Sequence, residues 1–397
     1  MIYITTRQKS KERQISWLDL INDENDTINM FSEPGTPGTI TRVYETVPEK
    51  FMKKINTEQM IQTLKKFNAF HEDLFSKDRK SLYRHFAIPK KQGGLRQIDA
   101  PNDELQNALE ELKIILADKF GVLHHTSAFA YVTGRCTVQE VRKHQVNESN
   151  WFYGTDCSGF FPNTTLDFTM KMLEMVFPLS EICKTEDGKN ELRKALSLGF
   201  LNSGLPQGTK LSPYLTNVIM IPIDHRLFNE LAHRRFVYTR YADDMHISCV
   251  QKFSKEKMTA YIEKVFREFG APWILKPEKT TFGSRKGRNY MLGVCLNAQN
   301  NITVGYRAKA TFKAMTSSLI LDYKHGHYWP LEDVQHYRGL LSYYEMVEKD
   351  YFSNLIKHFD EKYNCDTKTI LKRLFSLSVP TAEEAAQQEG YIELPWS

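Results

Sequence analysis

The feature that most constrains this 397-residue chain is a pair of adjacent acids between two runs of strand-forming residues. Asp243 and Asp244 are flanked by Phe236–Tyr241 and Met245–Val250. This pattern predicts a β-hairpin whose tip projects both carboxylates from the edge of a sheet. Two carboxylates held so close repel each other unless a cation lies between them. A simple Asp-Asp turn is the structural alternative.

A third acid, Asp156, strengthens the case for a cation site. It ends the apolar run Trp151–Thr155, where an acid without a partner is costly. A helix cap ahead of Pro162 is the structural alternative. Acids at the ends of neighbouring strands can hold two Mg²⁺ ions roughly 3.5–4 Å apart, as in enzymes of phosphoryl transfer. We therefore expect magnesium as the cofactor.

Composition sets the broad class of protein. With 41% hydrophobic and 25% charged residues, the chain can bury a sizeable core, which excludes disordered and collagen-like classes. The net charge of +5 is compatible with nucleic acid without diagnosing it. Six scattered cysteines without a CxxC pair argue against zinc knuckles and disulfide frameworks. We find neither an apolar signal core nor a run of roughly 18 apolar residues, so we expect a soluble, cytoplasmic protein without a membrane partner.

Apolar periodicity and turn residues predict an α+β chain. Strands are predicted at Tyr83–Pro89, Leu95–Ala100, Trp151–Asp156, Phe236–Tyr241, Met245–Val250, Tyr290–Leu296 and Ile302–Val304. Helices are predicted around Phe51–Phe75, over Leu105–Phe120, within Pro162–Phe177, at Leu211–Leu231 and Lys255–Phe269, and from Lys309 to about Phe375.

Six segments, in order, resemble the motifs of reverse transcriptases. They are Leu95–Pro101 (RxIxxP), Asp156–Pro162 (DxxxFFP), Leu205–Pro213 (LPQGxxxSP), Tyr241–Asp244 (YxDD), the lysine segment Lys276–Thr280 and Leu292-Gly293. The chain is therefore similar to bacterial reverse transcriptases of the group II intron-like, retron and defence-associated superfamily. The resemblance implies a right-hand polymerase with fingers at 81–150, a ferredoxin-like palm at 151–298 and a helical thumb at 299–375. An accessory region, 1–80, and an acidic tail, 376–397, flank these parts.

The resemblance also implies roles for individual residues. The three acids Asp156, Asp243 and Asp244 would be catalytic and would bind two Mg²⁺ ions. Phe160 would lie in the core and Phe161 would exclude the 2′-hydroxyl of ribonucleotides. Deoxynucleoside triphosphate contacts are expected from Lys90, Arg96, Gln207, Gly208 and Lys279. Nucleic-acid contacts are expected from Tyr241, Arg307, Lys309, Lys313 and Arg338.

The branch of the superfamily follows from what the chain lacks. It has no RNase H-length segment after the thumb and no paired zinc ligands. Only His144 matches the NAxxH box of retrons, and Met291-Leu292-Gly293 stands where retrons carry VTG. We favour a defence-associated enzyme that copies a dedicated noncoding RNA from its own locus into DNA, with a protein partner or a second copy as a further possibility. Three alternatives stay open: a retron enzyme that makes msDNA, untemplated or protein-primed synthesis, and an inactive RNA-binding scaffold.

Overall fold

The structure, a computed structural model, describes residues 56–89, 93–122, 124–287 and 289–377. Three predicted features lie outside these residues: the accessory region up to residue 55, the nucleotide contact Lys90, and residues 378–397 of the acidic tail. Among the described helices, none combines the length and the apolar character needed to cross a bilayer.

The chain contains both helices and antiparallel strands, and its last three described helices all follow its last described strand, as expected of an α+β fold. The strands are β1 (Tyr83–Pro89), β2 (Leu95–Pro101), β3 (Trp151–Ser158), β4 (Val237–Tyr241), β5 (Asp244–Cys249), β6 (Ile274–Leu275), β7 (Thr281–Ser284), β8 (Cys295–Leu296) and β9 (Ile302–Thr303). The α-helices are α1 (Thr57–Phe70), α2 (Glu72–Ser76), α3 (Asp103–Ile114), α4 (Thr137–Val146), α5 (Leu166–Leu173), α6 (Leu179–Ile182), α7 (Glu186–Ser197), α8 (Leu211–Ile219), α9 (Ile221–His233), α10 (Lys255–Phe269), α11 (Tyr306–Lys324), α12 (Leu331–Tyr363) and α13 (Thr367–Leu377). The run β3, helices, β4, β5, α10, β6 is the element order of a ferredoxin-like domain.

The described residues form two compact units. The first unit contains the residues up to Thr126 together with Cys157–Leu227 and Glu256–Leu275. The second contains Ser127–Asp156, Phe228–Lys255 and the residues from Lys276 onward. The predicted boundaries of fingers, palm and thumb stay predictions.

In the first unit, the two strands predicted at Tyr83–Pro89 and Leu95–Ala100 are present and form a hairpin. β1 and β2 pair antiparallel from Tyr83 opposite Pro101 to Pro89 opposite Leu95. The following helix α3 buries its apolar face, including Leu105, as its spacing predicted. β6 pairs with the last residues of β3 in the same unit.

In the second unit, an antiparallel sheet carries the acids. β5 pairs with β4 on one side and with β3 on the other, and β7 pairs with β3. A hydrophobic cluster joins the three C-terminal helices, and Phe312 on α11 is one of its buried members. The Phe312 ring stacks on Tyr337 at 5.0 Å and meets Phe352 edge to face at 5.4 Å. The predicted helical C-terminal region is thus three packed helices.

The predicted helix over Leu211–Leu231 is two helices, α8 and α9, which meet at Met220. Pro222 lies in the first turn of α9. Proline lacks an N–H group and clashes with the preceding turn, so it begins a helix more readily than it continues one.

The predicted strand over Tyr290–Leu296 is mostly a turn. Leu292 and Gly293 have φ angles of 53° and 84°, a left-handed conformation incompatible with an extended strand. Met291 and Val294 close this turn as an isolated bridge, and only Cys295–Leu296 remains as strand β8.

Candidate active site

The tip of the β4–β5 hairpin places two of the three acids. Tyr241 and Asp244 are the last paired residues of the ladder, and Ala242 turns the chain with a φ of 57°. A left-handed alanine is strained, and the Arg240 guanidinium holds this one by donating to the Ala242 carbonyl at 2.9 Å. Asp244 therefore lies within strand β5, whereas the sequence predicted it in the turn.

The third acid meets this tip across the sheet. Asp156 on β3 is the direct partner of Asp244 on β5, and directly opposed side chains in an antiparallel pair are close neighbours. Asp156 is 4% exposed, and its carboxylate also shares a hydrogen bond with the Asp243 side chain. The structure thus brings together Asp156, Asp243 and Asp244, as predicted.

The three acids perturb one another. Burial raises the pKa of Asp243 to about 7, and the negative charges of Asp156 and Asp244 add to this effect. Burial likewise raises the pKa of Asp244. Burial also disfavours the ionised form of Asp156, but hydrogen bonds from Lys279 and Lys276 outweigh it and lower its pKa. Like charges at this spacing create a site that favours a cation.

Two lysines contact Asp156 directly. Lys276 Nζ lies 3.1 Å from each carboxylate oxygen, and Lys279 Nζ contacts Oδ2. The bond to Asp156 raises the pKa of Lys279. Lys276 caps the 3₁₀ turn Pro277–Lys279, and Lys279 is its last residue. The three-residue repeat of such a turn places residues three apart on the same side. Sequence reasoning named Lys279 and missed Lys276; their spacing of three was the available signal.

The predicted nucleotide segment lies in the first unit. The Asp99 N–H donates to the Gln207 carbonyl at 2.7 Å, which joins this segment to strand β2. Gly208 has a φ of 135°, and a Cβ there would lie 2.7 Å from the Asp99 carbonyl oxygen. Only glycine allows this close approach. Arg96 is exposed on β2, opposite Ile88.

The two phenylalanines of the Asp156–Pro162 motif have different environments. Phe160 is 3% exposed and packs 4.8 Å from Trp273, as the core assignment predicted. Phe161 is half-buried and meets Phe160 edge to face at 5.7 Å. The Leu205 N–H donates to the Phe161 carbonyl at 3.1 Å, which connects Phe161 to the segment that carries Gln207.

The predicted nucleic-acid contacts lie in the second unit, in different settings. Arg307 and Lys313 are exposed on α11, and Tyr241 is half-buried at the hairpin. Lys309 pairs with Glu348 at 2.6 Å and lies over an aromatic ring at 4.0 Å. Arg338 lies 5.6 Å from the centre of another ring. The roles assigned to these residues and to the nucleotide segment stay predictions.

The sequence that carries these residues is similar to known polymerases. A sequence model described as reverse transcriptase (RNA-dependent DNA polymerase) matches residues 88–298, more than half of the chain. The chain is 25% identical over 293 residues to the retron Ec83 reverse transcriptase of Escherichia coli, covering 70% of this chain and 87% of that protein. It is 27% identical over 249 residues to the retron Mx162 reverse transcriptase of Myxococcus xanthus, covering 58% of this chain and 50% of that protein.

Among solved structures, apo telomerase from Candida tropicalis aligns with a TM-score of 0.43 at 14% identity. The alignment covers 78% of this chain and 64% of the telomerase chain.

Proposed function

This chain belongs to the reverse transcriptase (RNA-dependent DNA polymerase) family, and we propose that it copies a dedicated RNA into DNA by magnesium-dependent nucleotidyl transfer. The family match confirms the predicted class of an α+β right-hand polymerase. The observation that carries the proposal is the meeting of Asp156 and Asp244 as direct partners in one ladder, with Asp243 bonded to the same carboxylate.

The donor set fits magnesium, since carboxylate oxygens are the ligands that Mg²⁺ prefers. The raised pKa of Asp243, caused by burial and by its acidic neighbours, supports a cation that relieves this repulsion. Among the described residues, no three His, Cys, Asp or Glu side chains are already arranged around a metal position. Instead, Lys276 and Lys279 contact the Asp156 carboxylate. When bound, two ions would supply activation of the primer hydroxyl and stabilisation of the leaving pyrophosphate.

The chain's own residues would then bind and select the nucleotide. Gln207 and Gly208 would lie against it, because the glycine permits close approach of the backbone. The half-buried Phe161 ring would exclude a 2′-hydroxyl by steric clash. Arg96 would bind the triphosphate through charge-assisted hydrogen bonds. Lys279 would contact a phosphate when it leaves Asp156.

The template that we propose is a small noncoding RNA from the same locus. Both bacterial relatives named above are retron reverse transcriptases, which supports a retron-type product, msDNA, as a candidate alongside another defence-associated product. A role in anti-phage defence is a separate part of the proposal. Its test is the plating efficiency of phages on cells that carry the locus with the wild-type or the Asp243→Asn protein.

Sequencing the RNA and DNA that co-purify with the protein tests the enzymatic proposal. The protein is expressed with its flanking locus, as wild type and as Asp243→Asn. We expect one small RNA with both proteins, and complementary DNA with the wild type alone. DNA without a matching RNA would indicate untemplated synthesis. A denaturation-resistant protein–DNA adduct would indicate protein priming, and bound RNA without DNA in either sample would indicate a scaffold.

A further inference from the structure

A buried polar cluster lies against the hairpin that carries two of the acids. Helix α4 directs Glu140 and His144, one helical turn apart, toward strands β4 and β5. Both residues are 0% exposed. Acidic and imidazole side chains are rarely buried so completely unless they are bonded, and here each bonds to both strands of the hairpin.

Glu140 joins the two strands through a single oxygen. Its Oε1 accepts a hydrogen bond from the Thr239 hydroxyl at 2.8 Å and another from His246 Nδ1 at 2.8 Å. Thr239 on β4 and His246 on β5 are direct partners in the ladder. The carboxylate therefore fixes both strands at one position along the hairpin.

That position is adjacent to the metal-binding tip. Side chains two residues apart share a face of a strand, so His246 and Asp244 lie on one face of β5. His246 is also the partner of Gly154 on β3, two residues before Asp156. A Cβ at Gly154 would lie 3.5 Å from the imidazole ring. The ring thus packs over the backbone immediately behind the opposed pair Asp156 and Asp244.

The second oxygen of Glu140 indicates that its bonds to the hairpin have a role besides stabilising the fold. Among the described residues, Glu140 Oε2 is buried and has no hydrogen-bond partner. A buried acceptor left unsatisfied destabilises the folded state. An apolar residue would avoid this cost, but it could not hold Thr239 and His246 together.

We propose that Glu140 is a positioning residue for magnesium: by holding Thr239 and His246 at one level of the hairpin, it fixes the direction in which Asp244 presents its carboxylate. The inference rests on the proposed function, because it assigns Asp244 to a metal ion. It predicts that loss of the Glu140 bonds weakens metal binding more than a comparable loss of buried bonds elsewhere in the cluster.

The test compares Glu140→Ala and Glu140→Gln with Ser248→Ala as the matched control. Ser248 lies on the same strand and face, farther from the tip, and hydrogen-bonds with His144 at 2.6 Å and Ser149 at 2.7 Å. Mn²⁺ binding to the free protein is followed by electron paramagnetic resonance. The Mg²⁺ concentration for half-maximal primer extension, the KM for deoxynucleotides at saturating Mg²⁺ and the Tm are measured in parallel.

We expect Glu140→Ala to weaken Mn²⁺ binding and raise the half-maximal Mg²⁺ concentration by about tenfold or more, the effect typical of losing a residue that orients a metal ligand. The KM for deoxynucleotides should not change. Glu140→Gln should recover most of the binding, because its amide oxygen still accepts a hydrogen bond. Ser248→Ala should lower the Tm without changing either metal measurement.

Equal metal binding in Glu140→Ala and Ser248→Ala would overturn the proposal, as would failure of Glu140→Gln to recover binding. If Glu140→Ala does not fold, Thr239→Val removes one of the two bonds at nearly constant volume, and unchanged Mn²⁺ binding in it would overturn the proposal as well. Wild-type protein that binds Mn²⁺ but makes no DNA would refute the proposed function alone.

Discussion

Asp156 on β3 and Asp244 on β5 face each other directly in an antiparallel ladder, so the fold places two negative charges at one level of the sheet. Neighbouring lysines neutralise Asp156, while Asp243 and Asp244 have raised pKa values. The three carboxylates therefore repel one another in the absence of a cation, and this repulsion affects stability and metal binding.

Stability without metal should fall as the pH rises. The pKa of Asp243 is about 7 in the folded protein, against an ordinary value of 3.8. Between these two pKa values the folded state keeps the proton of Asp243, whereas the unfolded state has released it. The contribution of this proton to stability is therefore present at acidic pH and is lost as the pH rises to about 7. In EDTA, the free energy of unfolding of Asp243→Asn, relative to that of wild type, should rise by about 2 kcal/mol from acidic to mildly alkaline pH. Thermal unfolding of both proteins across this range measures the difference.

Added Mg²⁺ provides the control for that experiment. A cation that binds to wild type at alkaline pH should reduce the difference in the free energy of unfolding between the two proteins, because a ligand of the folded state stabilises that state. If the difference between the two proteins does not change with pH, folding does not raise the pKa of Asp243.

Replacing Phe161 should relax the choice of sugar. Phe161→Ala removes the ring proposed to exclude the 2′-hydroxyl, and we expect discrimination against ribonucleotides to fall by about tenfold or more. Single-nucleotide incorporation with matched deoxy- and ribonucleotides measures the ratio. Phe160→Ala is the control: it should destabilise the core by about 3–5 kcal/mol and leave the ratio unchanged. Equal ratios in wild type and Phe161→Ala would remove Phe161 from this role.

Adding a methyl group at Gly208 should damage nucleotide binding. Its φ of 135° and the 2.7 Å approach to the Asp99 carbonyl oxygen leave no room for a side chain, so Gly208→Ala must shift the segment away from β2. We expect the KM for deoxynucleotides to rise by about tenfold, corresponding to about 1.4 kcal/mol. Steady-state primer extension measures this change.

Gly287→Ala is the matched control, because its Cβ would meet nothing closer than 3.5 Å. It should behave as wild type. A normal KM in Gly208→Ala would show that the Gln207–Gly208 segment does not bind the nucleotide.

Glu348 should stabilise the C-terminal helices. It interrupts α12 with non-helical φ and ψ angles of −139° and 66°. Its carboxylate accepts hydrogen bonds from the Thr303 hydroxyl at 2.8 Å, the Val304 N–H at 2.9 Å and Lys309 Nζ at 2.6 Å. Glu348→Ala should lower the free energy of unfolding by about 2–4 kcal/mol, because it leaves these donors without their acceptor. Urea unfolding measures this cost.

Glu361→Ala is the comparison, because Glu361 forms an exposed pair with Lys357 at 3.9 Å. It should change stability by less than about 0.5 kcal/mol. Similar stabilities of the two variants would mean that the hydrogen bonds of the Glu348 carboxylate do not stabilise the C-terminal helices.

The sequence alone located the acids and most of the elements that carry them. The hairpin around Asp243 follows from two β-rich runs, and α10 begins and ends where its apolar period predicted. These features are local, because strand and helix periodicities appear within a few residues. Local signals also mark the two places where the predicted elements were wrong. Pro222 lies at the break between α8 and α9, and Gly293 lies in the turn before β8.

Only the tertiary structure decided which side chains surround the acids. Lys276 contacts Asp156, and Glu140 joins Thr239 to His246, across about a hundred residues of chain. Apart from the spacing of Lys276 and Lys279, no local pattern encodes such contacts, because they depend on strand register, and a shift of one residue would turn each side chain to the other face. The sequence determined that the three acids lie in or next to β-rich segments, and the register of β3, β4 and β5 decided that they meet with Glu140 behind them.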